Sequence, residues 1–218
     1  MRAFWAIVVL ELILGGVLFG SAGRVDLPWF WALIGIHTAV LAINLSLMEP
    51  GLREERMSLK RRGGCDRSMR VMLLPFVVAH VVVAGLDVGR FGWSGPVRWE
   101  VHVVGLVGYC AGVALAVWAM AVNRFFAPVV RIQSERGHHV ISGGPYAFVR
   151  HPAYLGFLIA LVAEAFMLGS YWCLAPLIGA VVVIMKRTVL EDRFLHESLV
   201  GYREYARAVR YRMARGVW

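Results

Sequence analysis

Residues 143–156, GGPYAFVRHPAYLG, set Arg150, His151 and Pro152 directly against a long apolar run. Proline at the first helical position has its φ preset and gives up an amide that would have no intrahelical partner, so Pro152 predicts a helix start. The first turn of that helix carries unpaired amides and the positive end of the dipole, which favour an anion by about 0.3–2 kcal/mol. One turn in, Tyr154 offers an aromatic face and a hydroxyl, and Gly156 clears space where another molecule or another helix comes close. A second cluster follows the apolar run: Arg187, Glu191 and Asp192. Arg187 and Glu191 are four apart and share a helix face, whereas the adjacent acids diverge. A ligand with a carboxylate, an ammonium, hydroxyls and a sulfonium would use both clusters, with aromatic faces for its base and its onium. S-adenosylmethionine is such a ligand. The alternative is a set of interfacial anchors, in which Arg150 snorkels to phosphates, Tyr154 joins an aromatic belt and Gly156 packs helices.

These clusters must be carried by membrane helices. The 218 residues are 59% hydrophobic with mean hydropathy +0.65, above the roughly 45–50% apolar share of soluble domains. Apolar runs cover residues 3–20, 28–48, 71–89 and 99–122, and a final run, 152–185, is too long for one span. The turn-forming LGSYW at 168–172 divides it into two short helices, so the fold predicted is all-α: a polytopic membrane bundle of about six transmembrane helices whose last two form a hairpin. With the N-terminus inside, 20 basic residues fall on one side and only Arg24, Arg90 and Arg98 on the other, which places both termini and the threshold motif in the cytoplasm of a bacterial inner membrane. The hairpin then returns Glu191 and Asp192 to the side where Arg150 and His151 emerge. The mixed-charge segment 48–70 reads as a connector with a short surface helix.

The net charge of +9 does not indicate a nucleic-acid partner, because the basic residues sit in short loops beside apolar runs. Cys65, Cys110 and Cys173 have no close pair and no histidine at metal-ligand spacing, so neither a disulfide framework nor a metal is expected. The N-terminus resembles a signal peptide, but Glu11 interrupts a long apolar stretch, and an uncleaved helix is expected. His37, His80 and His102 lie on three different apolar helices and are read as interhelical hydrogen-bonding residues. Glu11 and Glu164, at membrane depth, should face the bundle interior.

The run at 123–157, NRFFAPVVRIQSERGHHVISGGPYAFVRHPAYLGF, followed by RTVLEDRFLHESLVGYREYARAVRYR, resembles the isoprenylcysteine carboxyl methyltransferase family and its bacterial relatives. The shared pattern is a GPY turn (Gly144, Pro145, Tyr146), then RHPxYxG (Arg150, His151, Pro152, Tyr154, Gly156), then a distant acidic pair (Glu191, Asp192). Asp192 stands where members commonly have a second Glu. His138 matches a histidine that often precedes the turn, and His139 matches nothing in the pattern. The resemblance implies an S-adenosylmethionine-dependent methyltransferase whose cofactor enters from the cytoplasm and whose lipophilic or small carboxylate, amine or thiol acceptor enters from the bilayer. The length leaves room for one integral domain, 1–218, with an N-terminal four-helix part (1–122) and a C-terminal part (123–218) that the resemblance makes cofactor-binding. Cofactor residues are then His138, Gly144, Pro145, Tyr146, His151, Pro152, Tyr154, Gly156, Glu191, Asp192 and Tyr205, and catalytic ones are Arg150, His151, Arg187 and Glu191. Two other readings stand beside this one: a nicotinamide-dependent membrane reductase of related architecture, and a non-enzymatic scaffold.

Overall fold

A computed structural model describes residues 2–47, 64–127 and 130–218, all-helical and without strands among those residues. Seven α-helices are described: α1 Arg2–Ala22, α2 Pro28–Leu47, α3 Gly64–Gly85, α4 Trp99–Val122, α5 Pro152–Leu168, α6 Leu174–Ser198 and the short α7 Tyr202–Ala208. The connector expected over residues 48–63 lies outside the described residues. Residues 64–70, expected as part of that connector, instead form the first turns of α3, which runs past its internal Pro75 and continues as a π-helical segment, Leu86–Phe91.

Among the described residues, two helical stretches are long and apolar enough to cross a membrane, Val71–Phe91 and Trp99–Val122, with mean hydropathy 2.2 and 2.0. Only 28% of each is buried in the protein. Their outward surface is therefore apolar, which suits lipid and not water. Shorter apolar helices, Ile7–Ala22, Pro28–Ile43 and Pro152–Leu168, flank them.

The tightest packing is between α4 and α5. Small residues let their backbones meet: a Cβ on Gly156 would stand 2.6 Å from the Gly112 carbonyl oxygen and 2.7 Å from the Ala116 nitrogen. α5 begins at Pro152 and ends at Gly169, whose φ of +81° lets its amide and that of Ser170 close on the Ala165 carbonyl. The chain then reverses into α6, as LGSYW predicts. α6 is not short, however: it runs 25 residues, and it packs more on α3 than on α5. Its extension past the apolar run is held by a buried face that includes Thr188 and Asp192.

Interhelical polar contacts fall where the sequence expects them. His37 Nδ1 meets Glu11 Oε1 at 2.7 Å, His80 Nδ1 donates to the Cys173 carbonyl at 2.8 Å, and His102 Nδ1 donates to the Met167 carbonyl at 2.8 Å. Glu164 faces His80 at 3.6 Å in the bundle interior. At one end of the bundle three connections gather. Ser170 Oγ donates to Asp87, the Tyr171 amide donates to Ser94 Oγ, and Arg90 donates to the Ser21 and Gly20 carbonyls at the end of α1. At the other end, Ala119, Tyr146, Ala153, Leu199, Tyr202 and Tyr205 form a second small core that supports a cavity.

Candidate active site

The start of α5 and the far part of α6 meet at that second end. Tyr154 Oη donates to Glu191 Oε2 at 2.6 Å and accepts from Arg187 Nε at 2.7 Å, so the hydroxyl bridges two residues one turn apart on α6. His151 stacks on Tyr154, with centroids 5.8 Å apart and planes 13° apart. Beside them Arg150 grips Asp192 with two bonds, Nε to Oδ1 at 2.8 Å and Nη2 to Oδ2 at 3.0 Å. Tyr202 Oη donates to Oδ1 at 2.9 Å, Arg212 Nε donates to Oδ2 at 3.0 Å, and His151 Nε2 lies 3.5 Å from Oδ1. Burial works against ionisation of Asp192, yet the hydrogen bonds from His151, Arg150 and Tyr202 and the Arg150 charge outweigh it and hold the carboxyl well below the usual carboxylate range. The Tyr202 phenol is pushed well up by burial and by the Asp192 charge.

A cleft open to solvent lies against this assembly. Of the residues singled out in the sequence, His138, Tyr146, Arg150, His151, Tyr154, Glu191 and Tyr205 line it. Gly144, Pro145, Pro152, Gly156, Arg187 and Asp192 do not. Gly156 faces α4, Gly144 packs on Val122 and Trp118, Arg187 stands behind Tyr154, and Asp192, 2% exposed, sits behind the wall as the partner of Arg150. The shorter acid is thus a structural hub, and Glu191 is the carboxylate that faces the cleft.

The opposite wall comes from the segment after α4. Phe125 stacks on His138 with centroids 4.4 Å apart, and Gln133 ties the loop to itself by donating from Nε2 to the Phe125 carbonyl. The Gln133 amide donates to His138 Nδ1 at 3.2 Å, which assigns the ring hydrogen to Nε2. Burial, with nearby His139, Arg131 and Arg136, lowers the pKa of His138 and keeps it neutral. The residues that sequence reasoning left out are Asn123, Phe125 and His139 on this wall, Tyr202, which also lines the cleft, and Arg212, which does not. Asn123 and Phe125 lie within the family-like run, which was the available signal; Arg212 is one arginine among many in a basic tail.

The family model for the isoprenylcysteine carboxyl methyltransferase (ICMT) family matches residues 99–197, from the start of α4 almost to the end of α6. Protein-S-isoprenylcysteine O-methyltransferase B of Arabidopsis thaliana is 31% identical over 185 residues, 83% of this chain and 88% of that protein. The chain belongs to the isoprenylcysteine carboxyl methyltransferase family. A probable protein-S-isoprenylcysteine O-methyltransferase of rice is 35% identical over 119 residues, 51% of this chain, and the match spans 60% of the rice protein's length. The cobalt-zinc-cadmium resistance protein CzcN of Cupriavidus metallidurans is 30% identical over 132 residues, 60% of this chain and 57% of that protein. The family's matched region contains the whole Arg150–Asp192 and Tyr154–Glu191 assembly, while Tyr202 and Arg212 lie beyond it.

Proposed function

We propose that this chain is an S-adenosylmethionine-dependent methyltransferase acting within the membrane on a lipophilic or small carboxylate, amine or thiol acceptor. The observation that carries the reading is Glu191: a carboxylate held by the Tyr154 hydroxyl at the wall of a cleft, opposite aromatic rings, in a member of this family. The cleft residues fit the chemistry of the donor. Glu191 suits an ammonium or ribose hydroxyls, the start of α5 with His151 and Ala153 at the wall suits a carboxylate, and the Phe125 and Tyr154 faces suit an adenine or a sulfonium.

S-adenosylmethionine supplies a methyl carbon already activated by its sulfonium, so the protein's task is to bind, align and exclude water. Neutral His138 presents Nε2–H as a donor. Of the two cations the sequence offers for an acidic acceptor, Arg150 lines the cleft and Arg187 stands behind Tyr154; His151 and Glu191 are the bases for an acceptor that must lose a proton. We place the cleft at the cytoplasmic face of a six-span bundle, with both termini on that side.

Titration calorimetry of the purified protein tests the reading. S-adenosylmethionine should bind, NADPH should not, and Glu191→Gln should weaken S-adenosylmethionine binding by about 10-fold to 100-fold, the loss of one charge-assisted contact. Binding of NADPH in place of S-adenosylmethionine would overturn it. Incubation with radiolabelled S-adenosylmethionine and fractionated membrane lipids would then identify the acceptor.

A further inference from the structure

We propose that Arg212 is a positioning residue of the cleft, acting through Asp192 to hold Arg150 and His151 at the start of α5. The proposal builds on the methyltransferase reading. Arg212 is not part of the cleft wall, so it acts on a ligand only through other groups. Its Nε holds Asp192 Oδ2 at 3.0 Å from the side opposite Tyr202, which donates to Oδ1. Arg150 alone balances the charge of Asp192, so a second guanidinium is not needed for neutrality. What it adds is orientation: with Oδ2 held by Arg150 and Arg212, Oδ1 is turned toward Tyr202 and the His151 ring.

The backbone around Arg212 grips the same two residues. The Arg150 amide donates to the Tyr211 carbonyl at 3.0 Å, and the His151 amide donates to the Arg212 carbonyl at 2.7 Å. Arg150 Nη1 donates to the Val209 and Arg210 carbonyls, each at 2.9 Å. Segment 209–212 therefore reaches the start of α5 through residues 150 and 151 and through Asp192. His151 is fixed at its amide by this segment, at its ring edge by Asp192 and at its ring face by Tyr154. Displacing Arg212 loosens the first two of these restraints at a residue that lines the cleft.

The test compares the full-length parent with R212K, R212Q, D192N and the R212Q/D192N double variant. S-adenosylmethionine affinity is measured by calorimetry, and amide hydrogen exchange is followed in the peptide spanning residues 149–152. R212Q should raise the dissociation constant about tenfold, and R212K, which keeps the charge but not the planar fork, should recover part of that. The double variant should bind no more weakly than D192N alone, because both changes cut one connection. Parent-like affinity in R212Q, or losses that multiply in the double variant, would overturn the proposal. If the parent binds no S-adenosylmethionine, the methyltransferase reading fails and the exchange data decide for Arg212 alone: faster exchange at 149–152 in R212Q and R212K supports the positioning role, and unchanged exchange sinks it.

Discussion

Asp192 gathers Arg150, Arg212 and Tyr202 around one carboxylate, and its surroundings make its ionisation a condition of stability. It is 2% exposed and bound by Arg150, Arg212 and Tyr202. Removing its charge leaves two guanidinium groups facing a neutral amide, and breaking a buried pair from one side typically costs about 3–5 kcal/mol. Asp192→Asn should therefore melt markedly lower in detergent at pH 7. The pH dependence has a definite sign. The folded-state pKa lies below the unfolded value of about 3.9, so the contribution of Asp192 is complete above about pH 4 and declines as pH falls from there toward the folded pKa. Melting temperatures recorded from pH 7 down to pH 3 should show this acid-side loss in the parent and a shallower loss in Asp192→Asn; equal slopes would contradict it. The convergence of Arg150 with the acids was legible in the sequence because a helical hairpin must return its ends to one side. The division of labour between Glu191 and Asp192 was legible only as divergence, since neighbouring residues on a helix point apart. Which acid meets the cleft depends on how α6 is rotated, and that is set by its packing on α3.

Among the elements, the α4–α5 crossing determines where the threshold residues stand. Gly112 on α4 and Gly156 on α5 bring the two backbones into contact, and Ala116 and Ala160 continue the small-residue seam. The motif glycine thus meets a helix, one of the two occupants its sequence context allowed. A side chain there has nowhere to go, because the nearest atoms are backbone. Gly156→Ala should cost about 1–3 kcal/mol through overpacking, and by tilting α5 it should also weaken S-adenosylmethionine binding. Thermal melting and calorimetry on one preparation check both effects. Unchanged melting would mean that the crossing is looser than the distances imply. The other boundaries show why helix ends were partly hidden. Pro152 and Gly169 mark α5 with preset φ and positive φ, and both ends are where the sequence puts them. The start of α3 was obscured because residues 64–70 are polar and begin with glycine, and the length of α6 because its outer half is amphipathic, not apolar.

For the whole molecule, the two ends of the bundle differ in kind. One end gathers the connections after α1, after the π-helical segment and after α5, joined by Arg90, Ser94, Asp87 and Ser170. The other carries the cleft and the segment that follows α7. Arg24, Arg90 and Arg98 belong to the first end, and the sequence places the remaining 20 basic residues on the other side. Basic residues accumulate on the cytoplasmic side of membrane proteins, so the cleft should open to the cytoplasm, the side from which the proposed donor, S-adenosylmethionine, would enter. Single cysteines test the orientation in a background with Cys65, Cys110 and Cys173 replaced. Val25, 62% exposed, lies at the first end, and Val200, 94% exposed, lies beside the cleft. In intact cells a membrane-impermeant maleimide should label Val25→Cys, whereas Val200→Cys should react only after the membrane is permeabilised. Labelling of Val200→Cys from outside would invert the topology and put the cleft beyond the reach of cytoplasmic S-adenosylmethionine, so this one measurement bears on orientation and on function together.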